Sequence, residues 1–180
     1  YSYQYKYESY FPKDMTNFAL LRDYTGDSLE DIFAYTSGGL KVYKAARKPD
    51  NSIEFTKVTD LLFSENYDNW GGTVNIWVSY TDMPAIVDID YDGDMDIMAI
   101  SLLDNKISLY KSMVKEKKLP MDSLDYKYQA LCWGKFSMQF MPLDMLKNTC
   151  GGDTIDAFAP PKTPKAGSRH GGNTIWVFDE

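Results

Sequence analysis

The stretch DIDYDGDMDI, from Asp88 to Ile97, sets aspartates at positions 88, 90, 92, 94 and 96 around Gly93. Like charges this close repel, and a carboxylate cluster is costly unless a cation offsets it. Calcium suits the pattern, because it takes about 6–8 oxygen ligands at roughly 2.3–2.6 Å from a flexible loop. An EF-hand requires a bidentate glutamate at loop position 12. Counted from Asp88 that position is Ala99, inside an apolar run, and no helical pattern flanks the loop. An EF-hand is therefore excluded, and a dockerin-type loop fails at the same residue. The last acid, Asp96, leads straight into the apolar segment IMAISL. The plainer alternative is a bare acidic surface turn.

The flanking chain reads as short strands. DIFAYTS (31–37), GLKVYKA (39–45), SIEFTKV (52–58), TVNIWVSY (73–80), DIMAISL (96–102) and KISLYKS (106–112) are apolar-rich or alternating, and turn residues such as GG (38–39), KPDN (48–51) and LDN (103–105) lie between them. Tyr1, Tyr3, Tyr5 and Tyr7 alternate with polar residues and predict a further strand. Residues 113–128 are charged and predict a solvated connection. CWGKFSMQF (132–140) predicts a strand and PLDMLKN (142–148) a short helix or turn. Residues 150–172 hold five Gly and three Pro and predict a loop, and NTIWVFDE (173–180) predicts a last strand.

An internal repeat underlies this order. DYTGDSLEDIFAYTSGGLKVYKA (23–45) parallels DIDYDGDMDIMAISLLDNKISLYKS (88–112): an acidic loop, Asp-Ile, an apolar strand, a tight turn, and a strand ending in an apolar residue, one further residue, Tyr and Lys. The loops begin 65 residues apart, at Asp23 and Asp88, and Asp179 is placed to open a third. Short strands repeating over tens of residues predict an all-β chain of consecutive four-stranded antiparallel β-propeller blades. Residues 1–180 would form a partial propeller, with blade-like repeats at about 18–87 and 88–178 and a third calcium loop beginning at 179. Two repeats and a fraction cannot close a ring, so a piece of a larger propeller is expected.

Composition bounds the function. With 26 acidic against 19 basic side chains, the net charge of −7 argues against a nucleic-acid partner, which needs a basic surface. No apolar run reaches the roughly 18 residues of a transmembrane segment. The chain starts at Tyr1 rather than Met, which reads as a mature or excised piece.

The pattern D-x-D-x-D-G-D-x-D-[IL] resembles the FG-GAP/VCBS repeat of integrin-type propellers, in which a calcium loop joins two strands of a blade. The resemblance implies side-chain ligands from Asp88, Asp90, Asp92 and Asp96, with Asp94 giving mainly its backbone carbonyl. Aligned on Asp31, the first loop offers Asp23, Thr25, Asp27 and Asp31, with Leu29 at the carbonyl position. Thr25 replaces a carboxylate there and Ser28 the turn glycine, so weaker binding is expected.

GLKVYK, MPAIVDIDYDGDMDI, CWGKF and SRHGGNTIWVFDE further resemble secreted VCBS-repeat proteins of Bacteroidetes, many of them exported by type IX secretion. That resemblance implies a non-catalytic, secreted or cell-surface scaffold for binding or adhesion, with a protein or glycan ligand. Two alternatives stay open. One is a cargo or partner segment bound to a secretion-machinery protein in a type IX secretion assembly. The other is a propeller-based polysaccharide lyase or hydrolase, although His170 is the only histidine and Arg22, Arg47 and Arg169 are dispersed. Cys132 and Cys150 are disulfide candidates, which an exported protein favours.

Overall fold

A computed structural model of the chain describes residues 5–66, 71–101, 106–137, 144–145 and 175. After a 3-10 helix at Tyr5–Tyr10, eleven strands follow: β1 Thr16–Arg22, β2 Asp31–Thr36, β3 Gly39–Arg47, β4 Ile53–Thr59, β5 Phe63–Glu65, β6 Thr73–Asn75, β7 Ala85–Val87, β8 Asp96–Ile100, β9 Lys106–Ser112, β10 Tyr126–Ser137 and β11 Asp144–Met145. A short helix, α1, spans Val114–Lys117.

Strands β1 to β4 form an antiparallel meander. The second sheet runs β6-β5-β10-β9-β8-β7, with β11 paired to β10. Its antiparallel core β7-β8-β9-β10 repeats the first meander. β5 joins the outer edge of β10 in parallel and carries β6 with it. Each acidic loop lies inside a sheet, between its first and second strands.

Short turns set the register. Thr36 pairs with Gly39 across the two-residue turn Ser37–Gly38. Gly38 has φ +78°, and a Cβ there would sit 2.7 Å from the Trp77 ring, so the turn needs glycine for both its backbone and its neighbour.

The central strands β2 and β8 are buried on both faces, which explains their unbroken apolar character. Between the sheets, Phe33, Leu40 and Val42 pack with Ile86, Ile97, Ala99, Tyr110 and Tyr126, joined by Leu62, Ile76 and Val78 from the connection. Ile32, Ala34 and Tyr43 occupy the far side of the first sheet under Met15 and Phe55. Ala85, Met98, Ile107 and Leu109 occupy the far side of the second, where Trp133 and Ile175 cover them.

The repeat makes this packing directional. Phe33 and Met98 are equivalent by the 65-residue offset, yet Phe33 faces the neighbouring sheet and Met98 faces away from it. Ile32 and Ile97 show the reverse. The two sheets therefore stack head to tail and not as a two-fold sandwich.

The sequence reading names no strand at β1, β5 or β7, and it departs from this structure elsewhere too. Tyr5 and Tyr7 lie in the 3-10 helix and not in a strand. Only Thr73–Asn75 of the segment 73–80 is strand. The connection at 113–128 contains α1 and the start of β10. Asp144–Met145, expected in a helix or turn, is strand. The expected loop at 150–172 and nearly all of the 173–180 segment lie outside the described residues.

Phe33 is fully buried at the centre of the joint core. Phe33→Ala should cost about 3–5 kcal/mol in urea unfolding. Val58→Ala, at a strand position 46% exposed, should stay within about 0.5 kcal/mol of wild type.

Candidate metal-binding loops

The two acidic loops share one hydrogen-bond plan. Asp31 Oδ2 accepts from the Tyr24 N–H (3.2 Å) and Oδ1 from the Ala45 N–H (2.7 Å). Asp96 Oδ2 accepts from the Ile89 N–H (3.0 Å) and Oδ1 from the Ser112 N–H (2.8 Å). Both carboxylates are fully buried. Each ties the start of its loop to the end of the third strand of its sheet.

The loop interiors correspond as well. Asp23 accepts from the N–H groups of Gly26, Asp27 and Ser28, and Asp88 from those of Asp92 and Gly93. Asp27 Oδ1 accepts from the Leu29 N–H, as Asp92 Oδ1 does from the Asp94 N–H. The left-handed backbone positions also match: Gly26 with Tyr91, and Ser28 with Gly93. Ser28 thus takes the turn conformation (φ +67°) that the sequence reading assigns to a glycine.

The ligand sets differ. Asp88, Asp90 and Asp96 each offer an oxygen within 4.8 Å of the others, and so do Asp90, Asp92 and Glu116. Among the described residues the first loop gathers no such group. Thr25 spends its hydroxyl on Asp23, and Leu29 stands where the second loop has Asp94. Asp94 is 3% exposed. Its Oδ2 accepts from the Lys115 N–H at 2.9 Å, while its Oδ1 has no partner. Asp92 Oδ2 likewise lacks a hydrogen bond, although Lys111 Nζ lies 3.4 Å away.

Electrostatics follow from this crowding. Burial pushes the Asp96 carboxyl up to about 7; the Ser112 and Ile89 amides oppose that rise, and the charges of Asp90 and Asp94 add to it. Burial also raises Asp94, helped by the Asp92 charge. Burial acts upward on Asp92 too, but the Asp94 amide and Lys111 outweigh it and hold that carboxyl below its ordinary value. Asp31 is raised by burial. The Lys111 ammonium bonds Asp90 and Glu116, and these outweigh its own burial and raise it. The stem of Lys115 crosses Gly93. Two acidic groups joined at Asp90 therefore lie beside the Lys111 ammonium. The bare buried oxygens of Asp92 and Asp94 make this a site that a hard divalent cation fits.

Glu116 lies outside the loop pattern. Helix α1 brings it in, and position 49 of the first repeat, equivalent by the 67-residue offset of the third strands, is Pro49. Cys132 is disulfide-bonded, and its candidate partner Cys150 lies outside the described residues. Asp179 and His170 lie outside them too. No helix among the described residues is long and apolar enough to cross a membrane.

The sequence matches no protein-family model and no curated protein, and the fold matches no solved structure.

Asp96→Ala strands the Ile89 and Ser112 N–H groups, whereas Asp31→Ala strands the buried Ala45 N–H and leaves the Tyr24 N–H its 3.0 Å bond to the Arg22 carbonyl. At about 1–3 kcal/mol per orphaned group, both variants should be destabilised, Asp96→Ala more than Asp31→Ala. The loss should persist in chelator, where only the lost hydrogen bonds contribute. Urea unfolding with and without chelator checks this.

Proposed function

We propose that this chain is a non-catalytic binding or adhesion scaffold of a secreted or cell-surface protein, made of consecutive blades of an FG-GAP/VCBS-type propeller. The carrying observation is the shared hydrogen-bond plan of the two loops, with Asp88, Asp90 and Asp96 drawn together in the second. Head-to-tail stacking supports the propeller reading, since a heterologous contact repeated with a closing rotation generates a ring. The disulfide at Cys132 supports an oxidising, extracellular setting.

Calcium is the cation that best suits an all-oxygen, carboxylate-rich, irregular loop. Asp88, Asp90, Asp92 and Asp96 would hold it in the second loop. Its role would be structural: it would offset the clustered charge and brace the link between β7 and β8. The first loop, with Asp23, Asp27, Asp31 and the Thr25 hydroxyl, would bind more weakly or not at all. A protein or glycan ligand would then be met by exposed surfaces such as the tip at Tyr91, 79% exposed.

The test is a thermal melt in calcium and in excess chelator, on wild type and Asp90→Ala. Asp90 belongs to both acidic groups of the second loop and is exposed. At calcium a hundredfold above Kd, binding contributes about 2.7 kcal/mol. For a chain of this size that should raise Tm by roughly 5–11 °C. The rise should shrink sharply in Asp90→Ala. Equal melting in calcium and chelator would overturn the calcium reading.

A further inference from the structure

The Asp90–Asp92–Glu116 group already has a cation, the ammonium of Lys111. It bonds Asp90 and Glu116 and sits 3.4 Å from Asp92 Oδ2. Nothing in the repeat demands this. The equivalent residue of the first sheet, Lys44, has its ion pair with Asp122 at 2.9 Å, outside the first loop, and no ion pair with a carboxylate of that loop among the described residues. Lys111 thus lies in the one loop whose carboxylates outnumber what backbone amides can satisfy, and it does not satisfy them fully. Asp94, 97% buried, keeps Oδ1 bare.

There is room for the ammonium to leave. A cleft of about 500 Å³ adjoins the group, walled by Leu109, Trp133, Gln129 and Lys127, and lined also by Lys111 and Glu116 themselves. The Lys111 side chain is 21% exposed, so its head can turn into this space without moving the core beneath it.

We propose that Lys111 is a tethered counter-ion that holds the second loop in its cation-poor state, and that a divalent cation loads by expelling it, with Glu116 as a ligand from outside the loop. The inference rests on the calcium reading above and names its regulation. Because the lysine must be displaced, the apparent affinity is scaled down to the fraction of molecules in which it has left the group. The loop then fills only where the divalent cation is abundant.

Calorimetric titration with calcium chloride should be run on wild type, Lys111→Met and Glu116→Gln, with Lys111→Gln as a second neutral variant in case the methionine packs badly. If Lys111 occupies the group in about nine molecules of ten, its removal should tighten calcium binding on the order of tenfold. The same change should lower Tm in chelator, where the carboxylates lose their counter-ion. Glu116→Gln should weaken binding in the Lys111→Met background as well as in wild type, which separates a ligand from a mere partner of the lysine. Wild-type binding that neither neutral variant tightens would overturn the inference and leave the calcium reading intact. Absence of calcium binding in every protein would overturn both.

Discussion

Two buried carboxylates carry this architecture. Asp31 and Asp96 each accept two backbone N–H groups, one at the start of the acidic loop and one near the end of the third strand. A neutral side chain of similar size could accept one of these bonds but not both. The buried charge raises the free energy of the fold, and the displaced protonation of Asp96 records that cost. The geometry in return fixes where the loop begins, where the hairpin ends, and how far apart they stand. The central strands can then be buried on both faces, and the joint core between the sheets can form.

Once both repeats are built on this plan, their differences carry the functional meaning. The first loop satisfies its carboxylates with its own backbone, and Leu29 takes the place of a buried acid. The second places Asp94 there, adds Asp90, and receives Glu116 from α1. Its backbone offers no more donors than the first. The surplus charge needs a cation, and within the chain Lys111 meets only part of that need. The same scaffold thus holds a loop closed by hydrogen bonds and a loop whose acidic groups could hold a metal ion.

Much of this was legible in the sequence. The Asp-Ile step into an apolar run located β2 and β8, and the Tyr-Lys endings located β3 and β9. The aspartate spacing located the second loop. The parts that were not legible depended on distant residues. Tyr5 and Tyr7 alternate as a strand would, yet lie in a 3-10 helix, and β1 contains a left-handed Asn17 and an irregular register that break its period. β10 begins within a charged segment, because its edge is covered by β5, which is distant in sequence. Glu116 carries no motif, since only the position of α1 after β9 makes it part of the site. The partial occupation by Lys111 was equally hidden, because Lys44 holds the same place in the repeat and points elsewhere.

The central claim is that the second loop is a divalent-cation site of oxygen ligands. Anomalous diffraction from crystals grown in calcium, and then in a lanthanide of similar radius, tests it most directly. The account predicts a strong anomalous peak about 2.3–2.6 Å from oxygens of Asp88, Asp90 and Asp96. It predicts a weaker peak, or none, beside Asp23 and Asp27. A peak at the first loop with none at the second, or no peak at either under saturating metal, would contradict it.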